Sequence, residues 1–275
     1  MILRSLSDIK FAFLDVETTG LDPYLGHRIC EIAVLKKMGR KTLNRFQTLI
    51  NPGRNISPQA ASVNGITDDM LRGAPFFRDI AWDIFDLLKD SVIVAHNAPF
   101  DLGFLFAEFA SMRLPHLENE VIDTLSIARR HYNFPSNSLG KIARYLGIST
   151  VGEHRAFADV RITNEIFEYF LMDLERRGMR IKSLRDALKL QGKPVVFERL
   201  NEAVLPPAIE NALRAKGKLQ IRYLSAYRNT TTTRIIEPVE VNVSGSYTYV
   251  VAFCHLRKEK SRFRLDRILE IKSIS

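Results

Sequence analysis

At 275 residues the chain is longer than one small module and suggests two domains of about 150 residues each, and its 46% hydrophobic and 26% charged content excludes a disordered, collagen-like or coiled-coil protein. No apolar run approaches the roughly 18 residues a membrane span needs, and Arg4, Asp8 and Lys10 interrupt the N-terminus before a signal-peptide core can form, so a cytoplasmic protein without membrane association is expected. The net charge of +9 divides unevenly: residues 1–175 carry 19 basic and 22 acidic side chains, a net −3, and residues 176–275 carry 21 and 9, a net +12. Such a positive field serves phosphate backbones or anionic surfaces, or simply solvates a basic face. Cys30 and Cys254 lie far apart inside apolar runs, which predicts buried reduced thiols and no cysteine metal site.

Phe11 to Val16 is an apolar run without Gly or Pro, the pattern of a strand buried on both faces. Gly20, Asp22 and Pro23 signal a turn, after which Ile29–Leu35 and Phe46–Ile50 predict two further strands turning at Gly39. A helical pattern covers Ile80–Leu88, followed by the strand Val92–Ala95 and a helix over Pro99–Met112. Val121–Asp123 predicts a short strand; Thr124–His131, Leu139–Leu146 and the amphipathic Ala156–Leu174 predict helices. Together these make an α/β domain over residues 1–175. Residues 176–204 predict a basic, partly helical linker ended by Gly192 and Pro194. Residues 205–275 predict a small basic β domain: a helix opened by Pro206 and Pro207 and running to about Ala215, then strands over Leu219–Leu224, Arg234–Val243, Tyr247–Phe253, Ser261–Leu265 and Ile268–Ile274, with the run Thr230–Thr233 as a hairpin tip or edge.

Three acidic stretches carry potential chemistry. Asp15 and Glu17, two apart, continue the face of Phe11 and Phe13, and paired acids beside an apolar core need protons or a hard divalent cation to compensate them. For a bare Asp-x-Glu, two solvated acids past the end of a strand are the ordinary account. Asp101, in the stretch His96-Asn97-Ala98-Pro99-Phe100-Asp101, falls in the first turn of a helix, where the helix dipole alone explains it. Asp159 has the same ordinary account, and His154, taken alone, is an exposed residue at a helix entry.

Taken in order, Phe13-Leu14-Asp15-Val16-Glu17-Thr18-Thr19-Gly20, His96 through Asp101, and His154 with Asp159 five residues later resemble the motifs of the DEDDh exonuclease family, that of the proofreading subunit of bacterial replicative polymerase. The resemblance covers about residues 8–175. It implies an RNase H-like mixed sheet flanked by helices and a site in which Asp15, Glu17, Asp101 and Asp159 hold two divalent cations, Mg²⁺ or Mn²⁺, with His154 accepting the proton of the attacking water. The implied activity is 3′-to-5′ exonuclease action on DNA with a single-stranded or frayed 3′ end, releasing nucleoside monophosphates, and the implied partners are a nucleic acid with a free 3′ end and a polymerase or repair complex. The family pocket for the terminal nucleotide maps to Thr18, Thr19, Gly20, Asn64, Ile66, Asn97 and Phe100. Asn64 stands where the family frequently has His, and Ile66 reads either as a wedge against a base or as core packing.

The C-terminal strings Tyr249 to Arg257 and Arg262 to Ile268, with Ile221-Arg222-Tyr223 upstream, resemble a WYL domain, whose naming tripeptide is Thr248-Tyr249-Val250 in this chain. That resemblance implies a small SH3- or Sm-like β-barrel in which Tyr223 or Tyr249 and Arg257, Arg262 and Arg267 bind a nucleic acid or a ligand. A basic face that docks on the acidic first domain is the alternative. Two other readings of the whole chain stand beside the DNA exonuclease: an exoribonuclease or oligonucleotidase, and a ligand-sensing regulator that uses the exonuclease fold as scaffold.

Overall fold

The structure, a computed structural model, describes residues 5–112, 114–115, 117–195, 205–224, 230–244 and 247–274. It divides into two compact units, one of residues 1–20 with 28–199 and one of residues 21–27 with 200–275. No described helix is long and apolar enough to cross a membrane.

In the first unit, β1 (Lys10–Thr18), β2 (Ile29–Met38) and β3 (Lys41–Leu49) form an antiparallel meander, and β4 (Val92–Ala95) and β5 (Val121–Asp123) extend it in parallel, giving the order β3-β2-β1-β4-β5. The helices are α1 (Pro58–Asn64), α2 (Asp68–Leu71), α3 (Phe77–Leu88), α4 (Ala98–Ser111), α5 (Thr124–His131), α6 (Leu139–Tyr145), α7 (Ala156–Arg176) and α8 (Leu184–Leu190). This is the mixed α/β sheet flanked by helices that the resemblance implies. β1 is central and buried on both sides: Phe11 and Phe13 pack edge-on or tilted against Phe167 of α7, with ring centroids 5.5 and 6.0 Å away. Because side chains alternate along a strand, Asp15 and Glu17 continue the face that α7 covers.

Several boundaries differ from expectation. α1 and α2 are too short and polar to show apolar periodicity, yet Ser57 caps α1 ahead of Pro58, and Thr67 caps α2. The expected linker is not free of the domain. α8 starts at a Ser183–Asp186 capping box, and Ile181, Ala187 and Leu190 are buried in the main core of the first unit. Gln191 then uses its amide as a strand would, accepting from the Asp123 N–H at 2.7 Å and donating to the Val121 carbonyl at 2.9 Å, which covers edge strand β5. The rest of that segment, residues 196–204, lies outside the described residues.

The second unit has α9 (Pro207–Ala215) and an antiparallel sheet of β6 (Lys218–Leu224), β7 (Thr231–Ser244), β8 (Tyr247–Cys254), β9 (Glu259–Arg264) and β10 (Ile268–Ile274), in the order β10-β6-β7-β8-β9. A 3-10 turn at Leu265–Arg267 returns the last strand beside the first, and Ile209, Leu219, Ile221, Val250, Ala252 and Phe263 fill the core of this small β domain. Thr231, Thr232 and Thr233 are not a hairpin tip; they pair with Leu224, Tyr223 and Arg222 within β7. Both cysteines are free and buried, as expected.

Candidate active site

The acidic residues converge at the C-terminal end of β1. β4 pairs with β1 only as far as Phe13, so the Val16 N–H is released from that ladder, and Asp101, in the first turn of α4, accepts it at 3.0 Å. α4 is preceded by its N-cap Asn97, a left-handed residue with φ 71°, whose N–H is held by Asp123 at 2.8 Å. From the other face, the first turn of α7 delivers Asp159. One carboxylate oxygen each from Asp15, Glu17 and Asp159 lie within 4.8 Å of one another. Asp101, 3% exposed, is near enough that its charge acts on Asp15.

The electrostatics are those of clustered, buried acids. Burial holds the Asp15 carboxyl well above the usual carboxylate range, and the charges of Asp101, Asp159 and Glu17 add to it. Burial and the Asp159 charge push Glu17 up to about 8, although a hydrogen bond from Asn64 works against them. Burial lifts Asp101 to about 8 despite the Val16 N–H, and lifts Asp159 to about 6 despite the His154 N–H that Asp159 Oδ2 accepts at 3.1 Å. Asp159 Oδ1 is buried and has no hydrogen-bond partner among the described residues. Clustered hard oxygens, raised carboxyls and an orphaned buried oxygen fit a site for divalent cations.

His154 also adopts left-handed backbone, φ 69°, and its side chain is 55% exposed, with Nε2 3.8 Å from Glu153 Oε1. Thr18 donates to the Gly20 carbonyl at 2.6 Å, Asn97 is exposed, and the Phe100 ring packs on Phe104 with centroids 5.1 Å apart. Other residues expected around a terminal nucleotide are engaged elsewhere. Thr19 is fully buried and accepts from the Arg28 N–H at 3.0 Å. Ile66 is fully buried against Cys30 and Leu71, the packing that was one of its two readings. Asn64 is buried too; it caps the Ile66 N–H and holds the Glu17 carboxylate. His96 is tied to Thr124 and to the Asn137 carbonyl, each at 2.9 Å, and burial lowers its pKa, a structural role for a motif residue.

Sequence reasoning missed Glu31 and Arg155. Glu31 lies on β2 directly opposite Glu17, is 1% exposed, and binds Arg155 through both oxygens. Burial alone would raise its carboxyl; the hydrogen bonds from Arg155, Gln47 and the Ala156 N–H outweigh burial and hold it below its ordinary value. The one signal for the pair was a Glu inside the apolar run Ile29–Leu35, a charge that burial forbids without a partner.

In the second unit the expected binding residues separate. Arg262 stacks on Tyr249 at 4.4 Å, on the sheet face away from the buried Val250, Ala252 and Phe263. Tyr223 belongs to the opposite face: its ring meets buried Phe263 at 5.2 Å and its hydroxyl accepts from the Arg264 N–H. Arg257 is exposed in the turn between β8 and β9, and Arg267 lies in the 3-10 turn before β10.

Comparisons with known proteins give the family and the fold. The family model described as exonuclease matches residues 12–167, more than half of the chain, and the WYL-domain model matches residues 206–273. The PolC-type DNA polymerase III of Thermotoga maritima is 34% identical over 194 residues, which is 68% of this chain and 14% of that protein. The DNA polymerase III epsilon subunit of Buchnera aphidicola is 42% identical over 139 residues, 47% of this chain and 60% of the subunit. The chain therefore spans less than two thirds of these relatives. A solved exonuclease X in complex with 5′ overhanging duplex DNA superposes with a TM-score of 0.50 at 26% identity, covering 66% of this chain and 99% of that one.

Proposed function

We propose, from the premise that this chain belongs to the exonuclease family, that it is a metal-dependent 3′-to-5′ exonuclease acting on DNA with a single-stranded or frayed 3′ end. The observation that carries the reading is the meeting of Asp15, Glu17 and Asp159 oxygens within 4.8 Å, with Asp101 bound to the same strand. These four residues would hold two Mg²⁺ or Mn²⁺ ions. When bound, such ions stabilise the charge on the attacking and departing oxygens of an in-line displacement at phosphorus.

The protein's own groups do the rest. His154, exposed beside the acids, takes a proton from the attacking water through its imidazole. The terminal phosphodiester is cleaved, the 3′ oxygen of the penultimate nucleotide leaves, and a nucleoside monophosphate is released. Thr18, Gly20, Asn97 and Phe100 border the acids in sequence and offer hydroxyl, backbone, amide and ring contacts to the terminal nucleotide. Names of relatives that are polymerase subunits or polymerases, and of a structure containing duplex DNA, support DNA as substrate and a polymerase or repair assembly as partner. The Tyr249–Arg262 stack, with Arg257 and Arg267, supplies a sequence-tolerant grip on the strand.

A 3′-labelled single-stranded DNA oligonucleotide tests the reading. Labelled monophosphate should appear with Mg²⁺ or Mn²⁺ and cease with EDTA, and Asp15→Ala should lower its release by at least about a thousandfold. Release at the wild-type rate by Asp15→Ala, or release that ignores chelation, would overturn it.

A further inference from the structure

We infer that Glu31 and Arg155 are a positioning pair for His154, an inference that rests on the reading of His154 as proton acceptor. The His154 side chain projects 55% exposed from a left-handed residue, a conformation uncommon outside glycine. Such a residue keeps its place only if its surroundings fix it, and here both chain neighbours are fixed by ion pairs to different elements.

On the C-terminal side, Arg155 Nη2 and Nε donate to Glu31 Oε1 and Oε2 at 2.8 and 3.1 Å. The Ala156 N–H donates to the same Oε2 at 3.2 Å, and Gln47 donates to Oε1 at 2.8 Å. Glu31 thus grips the two residues after His154 by side chain and by backbone. On the N-terminal side, Glu153 binds Arg144 at 2.7 Å. The Glu153 carboxylate fills the notch above Gly140, where a β-carbon would lie 1.7 Å from Glu153 Oε1. The His154 N–H itself is held by Asp159.

Both Glu31 oxygens are already occupied by donors, so this fifth acid is not available as a cation ligand. It stands opposite Glu17 on the neighbouring strand, so one strand pair carries a cation-binding acid and the anchor of the proton acceptor. The forked geometry requires arginine; a lysine ammonium cannot span both oxygens.

The test combines Arg155→Lys and Glu31→Gln, each in the wild-type and in the His154→Ala background, assayed as monophosphate release at saturating Mn²⁺. In the wild-type background each should lower kcat by roughly 10- to 100-fold, the cost of misplacing a reacting group, with KM within about twofold. In the His154→Ala background each should change the residual rate by less than about twofold, because the group they position is gone. Equal fractional losses in both backgrounds, a loss confined to KM or to Mn²⁺ affinity, or wild-type kcat in both variants would overturn the pair. If Glu31→Gln does not fold, Arg155→Lys, whose side chain is 42% exposed, carries the comparison. A His154→Ala enzyme with wild-type kcat would instead remove the proton-acceptor reading, and the pair with it, whereas a lowered His154→Ala rate with additive losses removes the pair alone.

Discussion

At the residue scale, the acids are set against the protein's own stability. The folded state lifts Glu17 and Asp101 to about 8 and Asp159 to about 6, above ordinary carboxylate values. Groups raised in this way contribute stability that is complete below the unfolded values near 4 and is lost as pH rises through the folded ones. In EDTA the melting temperature should therefore fall from pH 5 to pH 9, and Mn²⁺ should restore it most at the alkaline end. Glu17→Gln removes the ionisation, keeps a partner for Asn64, and should raise the melting temperature in EDTA at pH 8 by roughly 2–4 °C while abolishing hydrolysis. A melting temperature flat with pH in EDTA contradicts this. The acids and His154 were singled out by their likeness to the exonuclease motifs, since for each alone an ordinary account sufficed, and packing was one of the two readings of Ile66. Asn64 as a holder of Glu17 and the Glu31–Arg155 pair were not legible, since each depends on contacts between distant segments.

The elements were legible wherever an apolar period ran long enough, as in β1, β4, α7 and α9. They were not where capping decided the matter, as in α1, α2 and the start of α8. The expected linker is the consequential case, because Ile181, Leu184, Leu188 and Leu190, spaced among basic residues, suggest a helix but say nothing of the core they enter. Its packing makes a stability prediction. Leu190→Ala should destabilise the first unit by about 2–5 kcal/mol, the usual cost of emptying a buried leucine site. A fragment ending at residue 175 should lose both this contact and the Gln191 cover of β5, and should melt well below one ending at residue 195. Equal melting of the two fragments in thermal denaturation would show that α8 adds nothing.

For the whole molecule, charge was legible by counting: a net −3 in residues 1–175 and +12 in residues 176–275. What counting did not reveal is that Tyr223 and Tyr249 serve opposite faces of one sheet, each with an arginine over its ring: Arg262 lies 4.4 Å from the Tyr249 centroid, on the face away from the core, and Arg234 lies 5.9 Å from that of Tyr223, on the core side. Arg257→Ala with Arg267→Ala should weaken binding to long single strands and make the dependence of log Kd on log salt shallower by about 2, with release from very short oligonucleotides unchanged. Unaltered affinity at both low and moderate salt would assign those arginines another duty. Everything in the functional account rests on the acids of β1, α4 and α7 gathering divalent cations. The most direct measurement is anomalous scattering from a crystal of the full chain soaked in Mn²⁺. The account predicts two peaks about 3.5–4 Å apart, between Asp15, Glu17, Asp101 and Asp159; no peak there, with Mn²⁺ bound at other carboxylates, would contradict it.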